Sequence, residues 1–303
     1  MKRIVIHILI YSSLLTVGFF ALLATADGAT DPFYLRFTTP QKSNLILGTS
    51  RAAQGLQPSV FKKNFEKEFF NYAFTLPHSP FGETYLNSIK MKLDTTVRDG
   101  IFIVTVDPWS IASSGENPND PLLFQERHLC LGTTSNVNTK PNFEYLIENF
   151  KGKYYKLFKP KSEDMFLHKD GWLEVNHQIN SIDRLKYIEL RVAEYKKEKL
   201  PLFNFSETRL NQLAKTVTYL KKYGRVYLVR LPVHKLMYKV DQTLIPDFNE
   251  KINPIILLSD GYFDLTPLNS NFEYTDGNHL EKNSGAIVSL KIAQSIQNLS
   301  KIE

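Results

Sequence analysis

The fold is decided by residues 44–51, which read Asn44-Leu45-Ile46-Leu47-Gly48-Thr49-Ser50-Arg51. Their first part is a brief apolar run stopped by a glycine, a pattern typical of a short strand that is buried on both faces of a parallel sheet. A helix is expected just after the strand, so Ser50 is predicted to lie at the sheet edge where ligands bind in open α/β folds.

Four further segments have the same character, because they are short and rich in β-branched or aromatic residues: 69–74, 101–106, 225–231 and 255–258. Helices are expected between and after the strands at 83–93, 206–223 and 284–299, the last with Ile287, Leu290, Ile292 and Ile296 close to one stripe. This alternation predicts an α/β fold, a three-layer αβα sandwich around a parallel five-stranded sheet.

One stretch interrupts the alternation. Residues 107–201 contain many prolines and polar residues and no convincing buried strand, so we expect an insertion within an α/β domain that spans 42–303. Its second half, 179–199, carries apolar residues among charges and predicts an amphipathic helix that docks over the strand ends. An insertion at that place would shape a substrate cleft.

The N-terminus predicts a membrane segment. Lys2 and Arg3 precede an uncharged apolar run at 4–26, and 23 residues at helical rise span about 34 Å, enough to cross a bilayer. Positive charge before the run places the N-terminus in the cytoplasm and the domain outside, at the periplasm or cell surface. Residues 24–26, Ala-Thr-Ala, also fit a signal-peptide cleavage site, which would make the protein secreted. The length of the run favours a retained anchor at 1–26, followed by a linker at 27–41.

Composition excludes several classes of protein. The chain has 303 residues, 43% of them apolar and 22% charged, which excludes collagen-like, coiled-coil and disordered chains. A single cysteine, Cys130, excludes a disulfide framework and a four-thiolate zinc site. His168 and His177 have a spacing that matches no dedicated metal motif, and we expect neither a metal nor a cofactor. The formal net charge of +6 on an exported domain favours contact with anionic envelope polymers over nucleic acid.

Two separate places carry residues suited to nucleophilic chemistry. Ser50 follows the first strand, where its hydroxyl would be exposed beside backbone N–H groups. Asp276 and His279 stand three residues apart in a tight loop, so the carboxylate can orient the imidazole as a base. Each pattern alone has an ordinary explanation, since Ser50 could be a helix cap and Asp276-Gly-Asn is turn chemistry.

Together these patterns resemble the SGNH (GDSL-like) hydrolase superfamily, with its flavodoxin-like fold. The resemblance rests on Gly-x-Ser after the first strand and on Asp276-Gly-Asn-His279-Leu before the last helix, and it spans 44–299 without the insertion. It implies that Ser50 is a nucleophile, His279 its base and Asp276 the residue that orients the base.

The chain departs from the superfamily at the residues that bind the oxyanion. Ala73 stands where the superfamily commonly has a glycine, and its backbone N–H is the nearest equivalent donor. Asp107 stands where a side-chain amide is usual, and an ionised carboxylate would repel an oxyanion. Asn71 or a residue of the insertion could replace that donor. Arg51, beside the nucleophile, is a further candidate to hold negative charge at the site.

Two functions remain open. The variant motifs and the anchor look closest to envelope SGNH proteins that work with membrane-bound O-acyltransferases, which implies an extracytoplasmic serine esterase or O-acyltransferase acting on polysaccharide or another acylated carbohydrate. The missing donor at Asp107 instead favours a catalytically impaired module that binds polysaccharide or an acyltransferase partner.

Overall fold

The computed structural model describes residues 1–150, 153–159, 161, 164–176 and 181–301. Its strands are β1 Leu45–Leu47, β2 Phe70–Asn71, β3 Gly100–Thr105, β4 Ala112–Ser114, β5 Met165–Leu167, β6 Leu173–Val175, β7 Phe203–Phe205, β8 Gly224–Arg230 and β9 Gly261–Asp264. Its α-helices are α1 Lys2–Leu23, α2 Ser50–Gly55, α3 Pro58–Phe65, α4 Glu83–Lys92, α5 Cys130–Thr133, α6 Phe143–Asn149, α7 Ser181–Glu194, α8 Glu207–Leu220, α9 Lys235–Leu244, α10 Phe248–Leu258 and α11 Lys282–Ser300.

A parallel sheet with the order β2-β1-β3-β8-β9 lies at the centre of the domain. Side chains alternate between its two faces, so Leu45 and Leu47 belong to one apolar core and Ile46 to the other. Helices α4, α8 and α10 cover the first face, and α2, α3, α9 and α11 cover the second. The predicted three-layer α/β architecture with five parallel strands is therefore confirmed.

The fifth strand lies elsewhere than predicted. The apolar run at 255–258 belongs to helix α10, and the edge strand is β9, which pairs with β8. Phe248, Ile252 and Ile255 are buried at helical spacing, whereas Leu257 is 79% exposed. A short apolar run does not by itself distinguish a strand from one side of a helix, and here the helical period decides.

The region after β3, predicted as an insertion, contains several short elements. Strands β4 and β7 form an antiparallel pair, and β5 and β6 form a second one. Helix α7 corresponds to the predicted amphipathic helix, whose first residues fall outside the described part of the chain. Its Ile188 and Val192 are buried with residues of the loop before α11, while Leu185 and Leu190 are exposed.

The apolar N-terminal helix α1 is exposed along most of its length and packs on the domain at its end. It is long and apolar enough to cross a membrane. The ring of Phe20 lies 4.8 Å from that of Phe143 in α6, and Leu23 is buried in the core. Residues 34–37, inside the predicted linker, form a buried 3-10 turn, so this part of 27–41 packs as a portion of the domain.

Candidate active site

A turn at Gly48 connects β1 to α2 and places Ser50 at the first position of that helix. Gly48 has φ of +144°, and a Cβ at this position would lie 1.9 Å from the Thr105 Oγ1 of neighbouring β3. Only glycine fits both conditions. The turn is held by the Gly48 N–H, which donates to the Tyr85 hydroxyl over 3.2 Å, and by the Gly48 carbonyl, which accepts from Ser79 Oγ over 2.7 Å. Ser50 is consequently fixed at the carboxyl edge of the sheet and is 9% exposed.

The loop before α11 is folded around the Asp276 carboxylate. Asp276 Oδ1 accepts the backbone N–H of Asn278 and of His279, each over 2.9 Å. Gly277 allows this turn with φ of +86°. Burial would raise the pKa of Asp276, but the His279 charge and the hydrogen bonds from the His279 ring and the two backbone N–H groups hold that pKa well below its usual range. Asp276 is therefore ionised at neutral pH.

The three residues predicted as nucleophile, base and orienter lie in contact. His279 Nδ1 is 2.9 Å from Asp276 Oδ2, and His279 Nε2 is 2.8 Å from Ser50 Oγ. Because a carboxylate only accepts hydrogen bonds, the proton of the neutral imidazole resides on Nδ1. Nε2 then carries the lone pair and accepts the Ser50 hydroxyl. The geometry is that of a serine positioned to lose its proton to an oriented base.

Ala73, predicted as an oxyanion donor, has its backbone N–H engaged. That N–H donates to Asn71 Oδ1 over 3.1 Å. The Asn71 side-chain amide in turn donates to the carbonyls of Ala52 and Leu56 over 2.8 and 2.9 Å. Neither Ala73 nor Asn71 therefore offers a free donor in this conformation, because each N–H already has a protein acceptor.

The side chain of Arg51 points into the protein, so it is not placed to bind an anion in the cleft. Its Nη1 and Nη2 donate to the two carboxylate oxygens of Asp241 over 2.7 and 2.8 Å. Its Nε and Nη2 donate to Asn278 Oδ1 over 3.0 and 2.8 Å. Burial would lower the pKa of Arg51, but the charges of Asp241 and Asp107 outweigh it and raise that pKa. The guanidinium is thus the centre of a buried ion-pair network.

Asp107 belongs to the same network and caps a 3-10 turn. Its Oδ1 accepts the backbone N–H of Trp109 and Ser110 over 2.9 and 3.0 Å, and its Oδ2 lies 3.8 Å from Arg51 Nη1. Burial raises the pKa of Asp107. The residue that departs from the superfamily pattern therefore acts as a helix cap and a neighbour of the buried cation.

Asp241 completes this network, and no sequence motif points to it. It lies in α9, is 1% exposed, and accepts a hydrogen bond from the indole N–H of Trp109 over 2.8 Å in addition to those from Arg51. Its sequence context, Lys-Val-Asp-Gln, is ordinary for an exposed helix face. A buried carboxylate in such a context becomes visible only when the tertiary contacts are known.

The histidines and tryptophans weighed as binding residues have local partners. His168 Nε2 lies 2.7 Å from Glu174 Oε2, and its ring stacks on Trp172, whereas His177 lies outside the described residues. Trp109 and Trp172 are both buried. Within the described part of the chain, no group of three or more His, Cys, Asp or Glu side chains is arranged to hold a metal ion.

The chain has structural counterparts among solved proteins, whereas the sequence comparisons find no match. The chain matches no protein-family model, and it matches no curated protein. Among solved structures, it is similar to an inhibitor-bound aryl esterase of M. smegmatis, with 7% sequence identity and a TM-score of 0.36, over 85% of this chain and 99% of that one.

Proposed function

We propose that this protein is a serine esterase or O-acyltransferase of the SGNH type, with Ser50 as nucleophile. One observation carries the proposal: Ser50 Oγ lies 2.8 Å from His279 Nε2, while Asp276 holds His279 Nδ1 at 2.9 Å. The contact joins two residues 229 positions apart in the chain. Such a chain of nucleophile, base and orienting carboxylate is the arrangement that activates a serine hydroxyl.

The proposed reaction proceeds through an acyl-enzyme. Ser50 Oγ attacks the ester carbonyl carbon, its proton passes to His279 Nε2, and the carbonyl π electrons move to the oxygen. Asp276 stabilises the imidazolium that forms. His279 then gives its proton to the leaving alcohol as the C–O bond breaks. Water or a sugar hydroxyl then loses a proton to His279 and attacks the acyl carbon. The bond from that carbon to Ser50 Oγ breaks as His279 returns the proton to Oγ, which restores the free enzyme. Hydrolysis and transfer therefore differ only in the acceptor.

Backbone N–H groups at the start of α2 supply part of the oxyanion stabilisation in this proposal. The N–H groups of Ser50 and Arg51 donate to no atom of the residues that the structure describes. They precede the first intrahelical hydrogen bonds of α2, where helices leave such donors free. A donor of this kind typically contributes about 10²–10³ in rate.

The proposed location is a membrane-anchored domain outside the cytoplasm. Burial of Leu23 and Ala26 in the domain core supports a retained α1, because cleavage after residue 26 would remove side chains on which the core packs. Lys2 and Arg3 before the apolar run support a cytoplasmic N-terminus. An anchored domain near the bilayer suits an acylated carbohydrate substrate and a membrane-bound O-acyltransferase partner, which are the expected partners.

Active-site labelling tests the proposal. The full-length protein in detergent is treated with a fluorophosphonate probe, and the modified residue is identified by peptide mass spectrometry. We expect labelling at Ser50 that is lost in Ser50→Ala and retained in Ser59→Ala, a matched change at an exposed serine of α3. A folded Ser50→Ala protein that still cleaves p-nitrophenyl acetate at the wild-type rate would refute the proposal.

The alternative function is a binding module for polysaccharide or for an acyltransferase. The observation that favours it is the engaged N–H of Ala73, which together with the carboxylate at Asp107 leaves the site two donors short of the superfamily pattern. The same labelling experiment separates the two functions. A module of this kind would retain anionic polysaccharide in a pull-down while Ser50 stays unlabelled.

A further inference from the structure

The loop that holds His279 also places a side-chain amide beside the candidate site. Asn278 is 6% exposed, and its Oδ1 accepts two hydrogen bonds from Arg51. A guanidinium only donates, so the Asn278 atom that faces it must be the oxygen. The orientation of the amide is thereby determined, and Nδ2 points the other way, 3.4 Å from His279 Nε2.

Among the described residues, the Nδ2 donor of Asn278 has no acceptor within the usual hydrogen-bond distance. With its proton on Nδ1, the His279 ring offers a single lone pair at Nε2, and the Ser50 hydroxyl takes it at 2.8 Å. At 3.4 Å, Asn278 Nδ2 is beyond the usual range of an N–H hydrogen bond, and it makes no other among the described residues. A buried N–H donor without a good acceptor costs free energy, and a hydrogen bond to a negatively charged oxygen removes that cost.

We infer that Asn278 is the side-chain donor to the oxyanion, in place of the amide that Asp107 does not provide. This inference rests on the proposed function. When Ser50 attacks an ester carbonyl and its proton moves to His279 Nε2, negative charge develops on the carbonyl oxygen. Nε2–H then becomes a donor itself, and the Nδ2–H of Asn278 donates to the oxyanion from the orientation that Arg51 already gives it. No further reactant is needed, since the amide only donates a hydrogen bond.

In this arrangement Arg51 is a positioning residue for the Asn278 amide. Asp241 binds both of its Nη atoms, and Trp109 fixes Asp241 through the indole N–H. This rigid chain of contacts holds the guanidinium against Asn278 Oδ1. A donor whose orientation is determined before the reaction needs no reorganisation when charge develops, which is the condition for strong oxyanion stabilisation.

Two variants of Asn278 test the inference in the full-length protein. Asn278→Ala removes the amide, whereas Asn278→Asp keeps oxygen acceptors for Arg51 but replaces the donor with a negatively charged oxygen. The kcat and KM for p-nitrophenyl acetate and the rate of fluorophosphonate labelling at Ser50 are measured for both, with thermal unfolding as a check of folding. Asn283→Ala, at an exposed asparagine in the first turn of α11, is the matched control.

We expect kcat to fall about 10²–10³-fold in both variants with KM within a few fold of wild type, and labelling to slow in parallel. Asn283→Ala should keep the wild-type values. Wild-type kcat in a folded Asn278→Asp protein would overturn the inference and leave the proposed function standing, since it would show that Asn278 serves only as an acceptor for Arg51. A wild-type protein whose Ser50 is neither labelled nor active would overturn the proposed function and the inference with it.

Discussion

Replacement of Asp241 by asparagine tests the buried network on which the site is built. Asp241 accepts three hydrogen bonds, two from Arg51 and one from Trp109, and it is 1% exposed. Asp241→Asn keeps the shape of the side chain but removes its charge, and its new amide N–H groups meet the donors of Arg51. The cation is then left with Asp107 as its remaining carboxylate, 3.8 Å away.

The expected loss of stability in Asp241→Asn follows from the free-energy cost of breaking a buried ion pair. Removal of one partner destabilises a protein by about 3–5 kcal/mol, and the nearby Asp107 places this case near the lower end, at about 3 kcal/mol. For a domain of this size, 1 kcal/mol corresponds to about 2–4 °C in Tm, so we expect a loss of about 6–12 °C. Tryptophan fluorescence of the full-length protein in detergent follows the transition, with Trp109 as a direct neighbour of the change.

Glu68→Gln provides the matched control, because it neutralises an acidic partner in an exposed pair. Lys62 and Glu68 have side chains that are 59% and 68% exposed, and such a pair contributes about 0–1 kcal/mol. If Asp241→Asn lowers Tm no more than Glu68→Gln does, the network does not carry the stability assigned to it. We also expect Asp241→Asn to lower kcat more than it changes KM, since Asn278 loses its fixed orientation.

Three further changes test separate parts of the structure. Gly48→Ala should destabilise the protein more than Gly115→Ala, by about 1–3 kcal/mol in chemical denaturation. Both glycines have positive φ, but only at Gly48 would the added methyl group overlap with a neighbour, Thr105. Asp276→Asn should lower kcat by about 10⁴-fold. The pKa of Asp276 is lower in the folded protein than in the unfolded chain, where it is about 3.9. Its carboxylate therefore stabilises the fold above pH of about 3.9, and this stabilisation is lost as pH falls through the folded-state pKa. The difference in Tm between Asp276→Asn and wild type should consequently shrink in acid. Leu23→Ala should cost about 2–5 kcal/mol if α1 is retained.

Each of these expectations has an outcome that contradicts it. Equal losses in the two glycine variants would mean that backbone strain alone acts at Gly48. A Tm difference for Asp276→Asn that stays constant from neutral pH into acid would contradict the depressed pKa. A Leu23→Ala protein with wild-type Tm would mean that the mature chain lacks α1, because a residue removed by cleavage cannot affect stability.

The strands of the sheet were accessible to sequence reasoning because they are buried on both faces. Such strands are short uninterrupted apolar runs, and four of the five lie where they are predicted. Of these, β2 is shorter than its predicted range of 69–74 and ends three residues early. The run at 255–258 has the same composition but lies in α10, because its burial follows the helical period set by Phe248 and Ile252. Composition alone does not contain that period, so β9, with its half-exposed Gly-Tyr-Phe-Asp, was missed.

The buried face of α11 is a second feature that the sequence pattern does not predict correctly. The predicted stripe contained Ile287 and Leu290, yet these are exposed, and Val288 and Ala293 are buried with Ile292. A Cβ at Gly285 would lie 2.7 Å from the Gly55 carbonyl oxygen of α2, so the two helices approach closely at this point. The rotation of α11 about its axis follows from that contact, which the apolar pattern of one helix cannot specify.

The residues of the candidate site that sequence motifs predict lie in short local patterns, whereas the contacts that they do not predict join distant parts of the chain. Asp276 and His279 share one loop, and Ser50 follows a glycine at a strand end, so short motifs were sufficient to select them. The position of Arg51 beside a nucleophile predicts a group that holds an anion, because an exposed cation at such a place commonly does so. Its acceptors, Asp241 and Asn278, lie 190 and 227 positions away. Once they are known, the charge of Arg51 is already neutralised, and what it contributes to the site is the orientation of a neutral amide.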